Sequence, residues 1–368
     1  MITKALFYGI MRAYSKVTRR TCMTQRITME DIARQSGVSL ATVSLVLRDK
    51  PGINDETRRR VLDIARDLGY RKRLNHEKLV SQSLHNAGVI VKASIGDDSP
   101  LTNPFYAPIV AGIEAACRKM HINLMYATVP VDMDNHPQEM PRLLSEDHLD
   151  GVLLVGAFAD ATITKLLQRE GIPAVLVDGY SHEHVYDSVV SDNFRAAYEA
   201  VSYLISYGHR HIGLIGTTKE AYPSIAERRK GYIQALTDHG IHDQYFGDCL
   251  LTMHEGSDTS SILLQRHPQI TALFCANDMM AIGATQAARA LHRQIPQDLS
   301  IIGFDNIDLA QHVAPALTTM HVDKVSMGRF AVQLLANRAE YPDQAPATVS
   351  LRPRLLERQS VQRLQPPK

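Results

Sequence analysis

Residues Gly37 to Lys50 read "GVSLATVSLVLRDK". A glycine, a serine able to cap, and a run without helix breakers describe a short helix entered through a tight turn. Wound at ~100° per residue, Val43, Val46 and Leu47 share one face. Ala41, Ser44, Leu45 and Arg48 share the opposite face, with Leu40 and Thr42 on its flanks. The inner face is core for a small helical head. Upstream, Thr28 caps "MEDIARQS", Glu30 and Asp31 lie in the first turn where the helix dipole favours acids, and Gly37 ends the element. Two helices joined by "QSGVS" form a helix-turn-helix, a motif whose second helix enters the DNA major groove. A third helix opens at Asn54, carries an inner stripe of Val61, Ile64, Ala65 and Leu68, and stops at Gly69.

Charge supports a polyanion partner for this end of the chain alone. Residues 1–80 carry 17 Lys and Arg against 8 Asp and Glu, a net +9, while residues 81–368 carry 23 against 31, a net −8. Residues 1–26 read as a basic extension expected to be disordered, with Met23 a plausible start. Arg12 interrupts the short apolar stretch after Lys4, and no clean cleavage site follows, so no signal peptide is expected. No apolar run reaches the ~18 residues that span a bilayer. Cys22, Cys117, Cys249 and Cys275 lie far apart and read as reduced structural thiols. A cytoplasmic, nucleoid-associated protein is expected.

From Ala87 the pattern changes to strands alternating with ten-to-fifteen-residue helices. "AGVIVKAS", "INLMYATV", "DGVLLVG" and "IPAVLVDG" are strand runs, separated by helices over "NPFYAPIVAGIEAACRKM" (Asn103 as cap, Pro104 first), "PQEMPRLLSEDHL", broken early by Pro141, and "DATITKLLQREG". After "SVVSDN" the beat repeats: helix 193–207, strand "HIGLIG", helix 224–239, a strand near 248–252, helix 257–266, strand "ITALFCAND", helix 278–292 and strand "LSIIGFDN". Such alternation means βαβ units and parallel sheets, and two runs of it mean two α/β lobes.

"ITMEDIARQSGVSLATVSLVLRDKPGINDETRRRVLDIARDLGY" resembles the DNA-binding head of the LacI/GalR family of bacterial transcriptional regulators, through Asp31-Ile32-Ala33, Gly37-Val38-Ser39, Thr42-Val43-Ser44, Thr57-Arg58 and Leu68-Gly69-Tyr70. The likeness continues through "NPFYAPIVAGIE", "GHRHIGLIG", "CANDMMAIGA", "QDLSIIGFDN" and "PALTTM" and covers about residues 27–358. It implies an all-α helix-turn-helix head at 27–73, a hinge helix or linker at 74–86, and a two-lobed α/β effector domain like that of periplasmic binding proteins at 87–358. Lobe 1 is expected at about 87–190 and 323–341, lobe 2 at about 191–321 and 345–358, and a tail at 359–368. The resemblance further implies that Thr42 and Ser44 bond phosphates, that Arg48 adds a charge there, and that Leu40, Ala41 and Leu45 hold the base-reading positions. Thr28, Ser39, Asn54 and Tyr70 complete the DNA-contacting set, and Leu79 stands where the family wedges a leucine into the minor groove. The sequence departs from the family in having "HEKL" before that wedge and no proline-asparagine after Tyr70.

Leucine cannot make the bidentate contact to guanine that arginine makes at the position of Leu45, but it can contact a thymine methyl. Polar residues at strand ends mark the expected effector cleft: Asp178, Asp192 with Asn193, Asn277, Asp278 and Asp305, with Arg228 where the family places an arginine. Charged hydrogen bonds from such groups suit sugar hydroxyls. Acids after strands also cap the next helix, an alternative equally open for Asp192 and Asp278. With no tryptophan in the chain, Phe105 and Tyr106 are the ring-stacking candidates.

No Walker A loop, H-E-x-x-H, G-x-S-x-G or dinucleotide glycine fingerprint occurs, and no catalytic residue, metal site or cofactor is expected. The tail lacks leucine heptads, which favours a dimer over a tetramer. The expectation is a homodimeric regulator, a repressor, on a near-palindromic double-stranded operator and controlled by a small-molecule effector, a sugar. A purine or nucleoside effector is the alternative, and a sugar-binding receptor a weaker one.

Overall fold

In the computed structural model, residues 28–47, 52–68, 84–93, 102–132, 135–145, 149–181, 185–218 and 221–364 are described. The chain divides into two compact units, residues 1–80 and 81–368.

In the first unit, α1 (Met29–Ser36), α2 (Leu40–Leu47) and α3 (Asp55–Asp67) form as the capping chemistry dictates. Thr28 and Asp31 make a reciprocal capping box. Gly37 takes φ 65°, a left-handed turn that glycine enters without strain, and releases the chain into α2. The Ser39 hydroxyl accepts from the Thr42 amide at 3.1 Å, and Asn54 accepts from the Thr57 amide at 2.8 Å. Ile32, Val43, Val46, Val61 and Ala65 are buried, with Val38, Leu47, Ile64 and Leu68 packed around them. The residues after Asp67 expected to stop the third helix and to form the hinge, and those of the basic extension, lie outside the described residues, apart from Leu68 and residues 84–86.

Among the described residues, the second unit holds two six-stranded sheets. The first runs in the order β11-β5-β4-β3-β1-β2, from β1 (Asn86–Ala93), β2 (Asn123–Pro130), β3 (Gly151–Val155), β4 (Ala174–Val177), β5 (Asp187–Ser191) and β11 (Thr348–Leu351), every neighbour parallel. It carries α4 (Tyr106–Lys119), α5 (Ala161–Glu170) and α10 (Lys324–Glu340). The second runs β12-β10-β9-β8-β6-β7, from β6 (Ile212–Ile215), β7 (Tyr245–Gly247), β8 (Ala272–Cys275), β9 (Ser300–Asp305), β10 (Thr318–His321) and β12 (Arg354–Leu356), with β12 antiparallel. Its helices are α6 (Asn193–Ser206), α7 (Pro223–Asp238), α8 (Met253–Arg266) and α9 (Asp278–Ala290). The central strands are buried along their whole length, which explains their uninterrupted apolar runs.

Several boundaries correct the sequence reading. Thr348–Leu351 pair with β5 in the first sheet, so only the end of the 345–358 segment belongs to the second lobe. In 137–149, where a helix broken early at Pro141 was expected, the described residues carry only a short 3-10 turn, Arg142–Ser145; Pro141 removes an amide that a helix would need. The strand expected near 248–252 lies at Tyr245–Gly247, and the following helix begins at Met253 under a Thr252 cap. Helix α4 starts at Tyr106, two residues late. Asn103 still caps the preceding turn, accepting from the amides of Phe105 and Tyr106 at 3.0 and 3.2 Å.

Helices α4 and α10 cross at glycine contacts. A Cβ at Gly112 would collide with the Val325 carbonyl oxygen, and one at Gly328 with that of Ile109. Gly112→Ala is therefore expected to lower the urea midpoint by an amount worth ~1–3 kcal/mol, despite alanine's better helix propensity. A gain in stability would show that the backbones do not approach this closely.

Candidate functional site

The chain passes from the first sheet to the second at β5–α6, back at β10–α10, and over again between β11 and β12. The carboxyl ends of the strands meet at these crossings, which is where open α/β folds bind ligands. Arg228, one turn into α7, is the centre of this region and is buried. Its Nε donates to Asn193 Oδ1 at 2.9 Å, and its Nη1 donates to the Ala276 carbonyl. The guanidinium carbon lies 3.7 Å from the centroid of Phe304. Nη2 lies 3.3 Å from Asp305 Oδ1 as a close ion pair.

Asp305 ends β9 with φ 104°, a conformation that costs a non-glycine residue energy and clusters at functional sites. Its Oδ1 is buried and has no aligned hydrogen-bond donor among the described residues. Desolvation raises its pKa against the pull of Arg228 and Lys324. From the first lobe Asp178, directly after β4 and also at positive φ (46°), approaches the same arginine. Its carboxylate accepts from the Tyr106 hydroxyl at 3.3 Å, and its carbonyl accepts from the Tyr222 hydroxyl at 3.1 Å. Burial pushes Asp178 up to about 6, opposed by Arg228 and Lys92.

Aromatic rings wall the region. Tyr222 stands edge-on to Tyr180 and Phe158, at centroid distances of 5.2 and 6.4 Å. Lys92 lies over the rings of Tyr106 and Tyr222, at 5.3 and 5.4 Å. The Tyr106 ring occupies the space that a Cβ at Gly156 would fill.

Of the expected effector residues, the structure brings together Tyr106, Asp178, Arg228 and Asp305. Phe105 packs edge-on against Tyr106 and flanks the set. Asp192 is a cap, accepting from the Arg195 amide at 3.1 Å. Asn277 caps α9 through the Met280 amide at 2.9 Å. Asp278 is fully buried, and both oxygens are engaged, by the Thr319 hydroxyl at 2.6 Å and the Ile307 amide at 2.8 Å. In this arrangement all three cap or brace the scaffold. Lys92, Phe158, Tyr180 and Tyr222 escaped the sequence reading. Phe158 and Tyr180 each follow a strand closely, a positional cue, but Tyr222 meets them only through lobe-to-lobe packing.

In the helix-turn-helix unit, Leu40 and Leu45 are 44% and 36% exposed while Val43 and Val46 are buried. Ala41 is exposed beside them, and Thr42 and Ser44 are half-buried. Thr28, Ser39 and Asn54 stand at the N-termini of α1, α2 and α3. Arg48, Tyr70 and Leu79 lie outside the described residues.

Residues 28–73 match the bacterial regulatory proteins of the lacI family, and residues 201–361 match the periplasmic binding protein-like domain. The ribose operon repressor of Haemophilus influenzae is 32% identical over 91% of this chain and 98% of its own length. The chain belongs to the LacI family. It is a DNA-binding transcriptional regulator with an effector-binding domain of the periplasmic-binding-protein type. The repressor CytR of Escherichia coli is 34% identical to it over 85% of this chain and 90% of the relative. A LacI family regulator of Enterococcus faecium solved with bound ribose superposes with a TM-score of 0.66 at 26% identity, over 76% of this chain and 100% of that one.

The buried carboxylate of the regulator sets a pH dependence. Between 3.8 and about 6 the folded protein holds a proton on Asp178 that the unfolded chain has released. This contribution therefore makes stability fall as pH rises through that window, and the full penalty stands at pH 7. Asp178→Asn is expected to raise stability at pH 7 by ~2–3 kcal/mol and to leave it unchanged near pH 3. An equal effect at both pH values would show that the carboxylate is not desolvated.

Proposed function

We propose that the regulator is a homodimeric cytoplasmic repressor without enzymatic activity, whose operator affinity is controlled by a sugar held between Arg228, Asp305 and Asp178. The observation that carries this reading is the convergence of three buried ionisable side chains from both lobes, with Asp305 Oδ1 meeting Arg228 only as a 3.3 Å ion pair and without an aligned hydrogen-bond donor among the described residues. A sugar hydroxyl can donate to a carboxylate and accept from a guanidinium at once, and charged hydrogen bonds discriminate strongly. Tyr106, Phe158, Tyr180 and Tyr222 supply apolar ring faces for the carbon skeleton. The ribose in the Enterococcus faecium relative and the ribose operon of the Haemophilus influenzae relative point to a pentose.

On DNA, α2 lies in the major groove, with Leu40, Ala41 and Leu45 on the bases and Thr42, Ser44 and Arg48 on the phosphates. Thr28, Ser39, Asn54 and Tyr70 support the backbone contacts, and Leu79 acts at the minor groove. The exposure of Leu40 and Leu45 beside a buried Val43 supports the groove face. Two heads of a dimer then read a near-palindromic site.

Screening pentoses, hexoses, sugar phosphates, purines and nucleosides by thermal shift is expected to find a sugar that stabilises the protein, by about 2.7 kcal/mol at 100 times Kd. Arg228→Gln should weaken that ligand about 10- to 100-fold, the loss of a charged hydrogen bond worth ~1.5–3 kcal/mol. A response only to purines or nucleosides would overturn the sugar reading.

Leu45→Arg is expected to shift half-site preference towards a G·C pair, by ~1–3 kcal/mol at one position in competition binding. An unchanged preference would place Leu45 away from the bases.

A further inference from the structure

The described part of the ligand-binding unit opens where Leu84, His85 and Asn86 lead into β1. Leu84 is buried and joins the core cluster that holds Ile122 and Ala87, while His85, just before the strand, is exposed. Strand β1 lies between β3 and β2, and both neighbours reach its first residues. The amide of Asn123, the first residue of β2, donates to the His85 carbonyl at 2.7 Å, and its Nδ2 donates to Asn86 Oδ1 at 2.9 Å. From the other side the amide of Asp150, one residue before β3, donates to the Asn86 carbonyl at 2.9 Å.

Asp150 does more than extend the ladder. Its Oδ2 accepts from the amides of both His85, at 3.0 Å, and Asn86, at 2.9 Å. Consecutive amides of an extended strand point to opposite sides, as their side chains do. Two that meet on one oxygen mean that the chain bends at His85, and the carboxylate sets the bend. Hydrogen bonds to an ionised acceptor are roughly twice as strong as neutral ones. Asp160 offers a comparison in the same lobe. Its carboxylate also accepts from two amides, those of Thr162 and Ile163, both at 2.9 Å, but there it opens α5 and the chain on either side stays within the lobe. Upstream of His85 the chain leads to the helix-turn-helix unit. The other end of β1 lies at the cleft, where Lys92 stands over Tyr106 and Tyr222, roughly 20 Å from Asn86 at ~3.3 Å per residue. Asp150 is therefore remote from the cleft residues.

We propose that Asp150 is a positioning residue for operator binding: by holding the amides of His85 and Asn86 it fixes the direction in which the chain leaves the ligand-binding unit for the DNA-binding head, and so the half-site spacing that a dimer accepts. The inference rests on the dimeric reading above, in which two heads meet one operator and spacing is a geometric constraint. Releasing residues 84–86 adds ~3.3–3.6 Å of reach per residue, about 10 Å in each subunit, against a rise of ~3.4 Å per base pair. A loosened exit therefore spans spacings that a fixed exit rejects.

The test compares duplexes. A duplex with two half-sites is selected by the full chain from a random library, and its spacing is then changed by one and by two base pairs. The unsubstituted chain is expected to bind the altered spacings about tenfold more weakly than the selected one, or worse. Asp150→Ala should bind the selected duplex more weakly and tell the spacings apart by less than about threefold. Asp150→Asn, which keeps an acceptor oxygen without the charge, should fall between them, and it decides the matter if the alanine variant does not fold. Asp160→Ala removes a matched pair of bonds and should keep full discrimination even if its thermal midpoint falls. Spacing-indifferent binding by the unsubstituted chain, full discrimination in the Asp150 variants, or an equal loss in Asp160→Ala would overturn the proposal. Sedimentation of the same samples separates the two ways of failing. A monomer overturns the dimeric reading and this proposal with it, whereas a dimer with any of those outcomes overturns this proposal alone.

Discussion

The buried guanidinium of Arg228 is the constraint on which the rest of the ligand-binding unit depends. A charge taken out of water needs compensation from every side, and four residues from three parts of the fold supply it. Asn193 at the start of α6 and the Ala276 carbonyl after β8 take its hydrogens, Phe304 of β9 carries its face, and Asp305 carries the opposite charge. These partners lie at the ends of strands and helices that meet at the crossings between lobes. Fixing the arginine therefore fixes where those ends must sit. The compensation is incomplete on Asp305, and that incompleteness is what supports the proposed ligand site.

A second buried network holds the crossing itself. Lys324, the first residue of α10, donates to the carbonyls of Asp305, Asn306 at 3.2 Å and Val322 at 3.3 Å. Burial lowers its pKa, opposed by Asp305 and Asp278. Asp278 sits behind, its own pKa raised to about 7 by burial and by Asp305. A first-lobe helix is thus tied by its opening residue to the carbonyls ending a second-lobe strand. Under the proposed function, a change at Asp305 on ligand binding would reach Lys324 and the base of α10 through these bonds.

Local chemistry was legible in the sequence, and non-local chemistry was not. The head's helices could be read because Thr28, Gly37, Ser39 and Asn54 act on their own neighbours. Even the unusually apolar α2 separated correctly into a buried Val43–Val46 face and an exposed Leu40–Leu45 face. The central strands followed from their uninterrupted apolar runs, which burial on both faces explains. β7 did not, because it is three residues long at a sheet edge. Arg228, Asp178 and Asp305 were singled out in the sequence and lie together in the fold, while Asp192 and Asp278 were not separable from caps. An acid or amide after a strand serves either use, and only the hydrogen-bond partners decide. Tyr222 and Lys92 required the two lobes to be folded together.

The account's central claim is that one ligand, bound between the lobes, and one operator, bound by the head, are coupled through this unit. Linkage makes the coupling reciprocal. The most direct measurement is the affinity of the full chain for its sugar effector with and without saturating operator duplex, beside the operator affinity with and without saturating sugar. The account predicts two shifts of the same factor, roughly 5- to 150-fold. A sugar affinity indifferent to operator, with operator affinity indifferent to sugar, would contradict it.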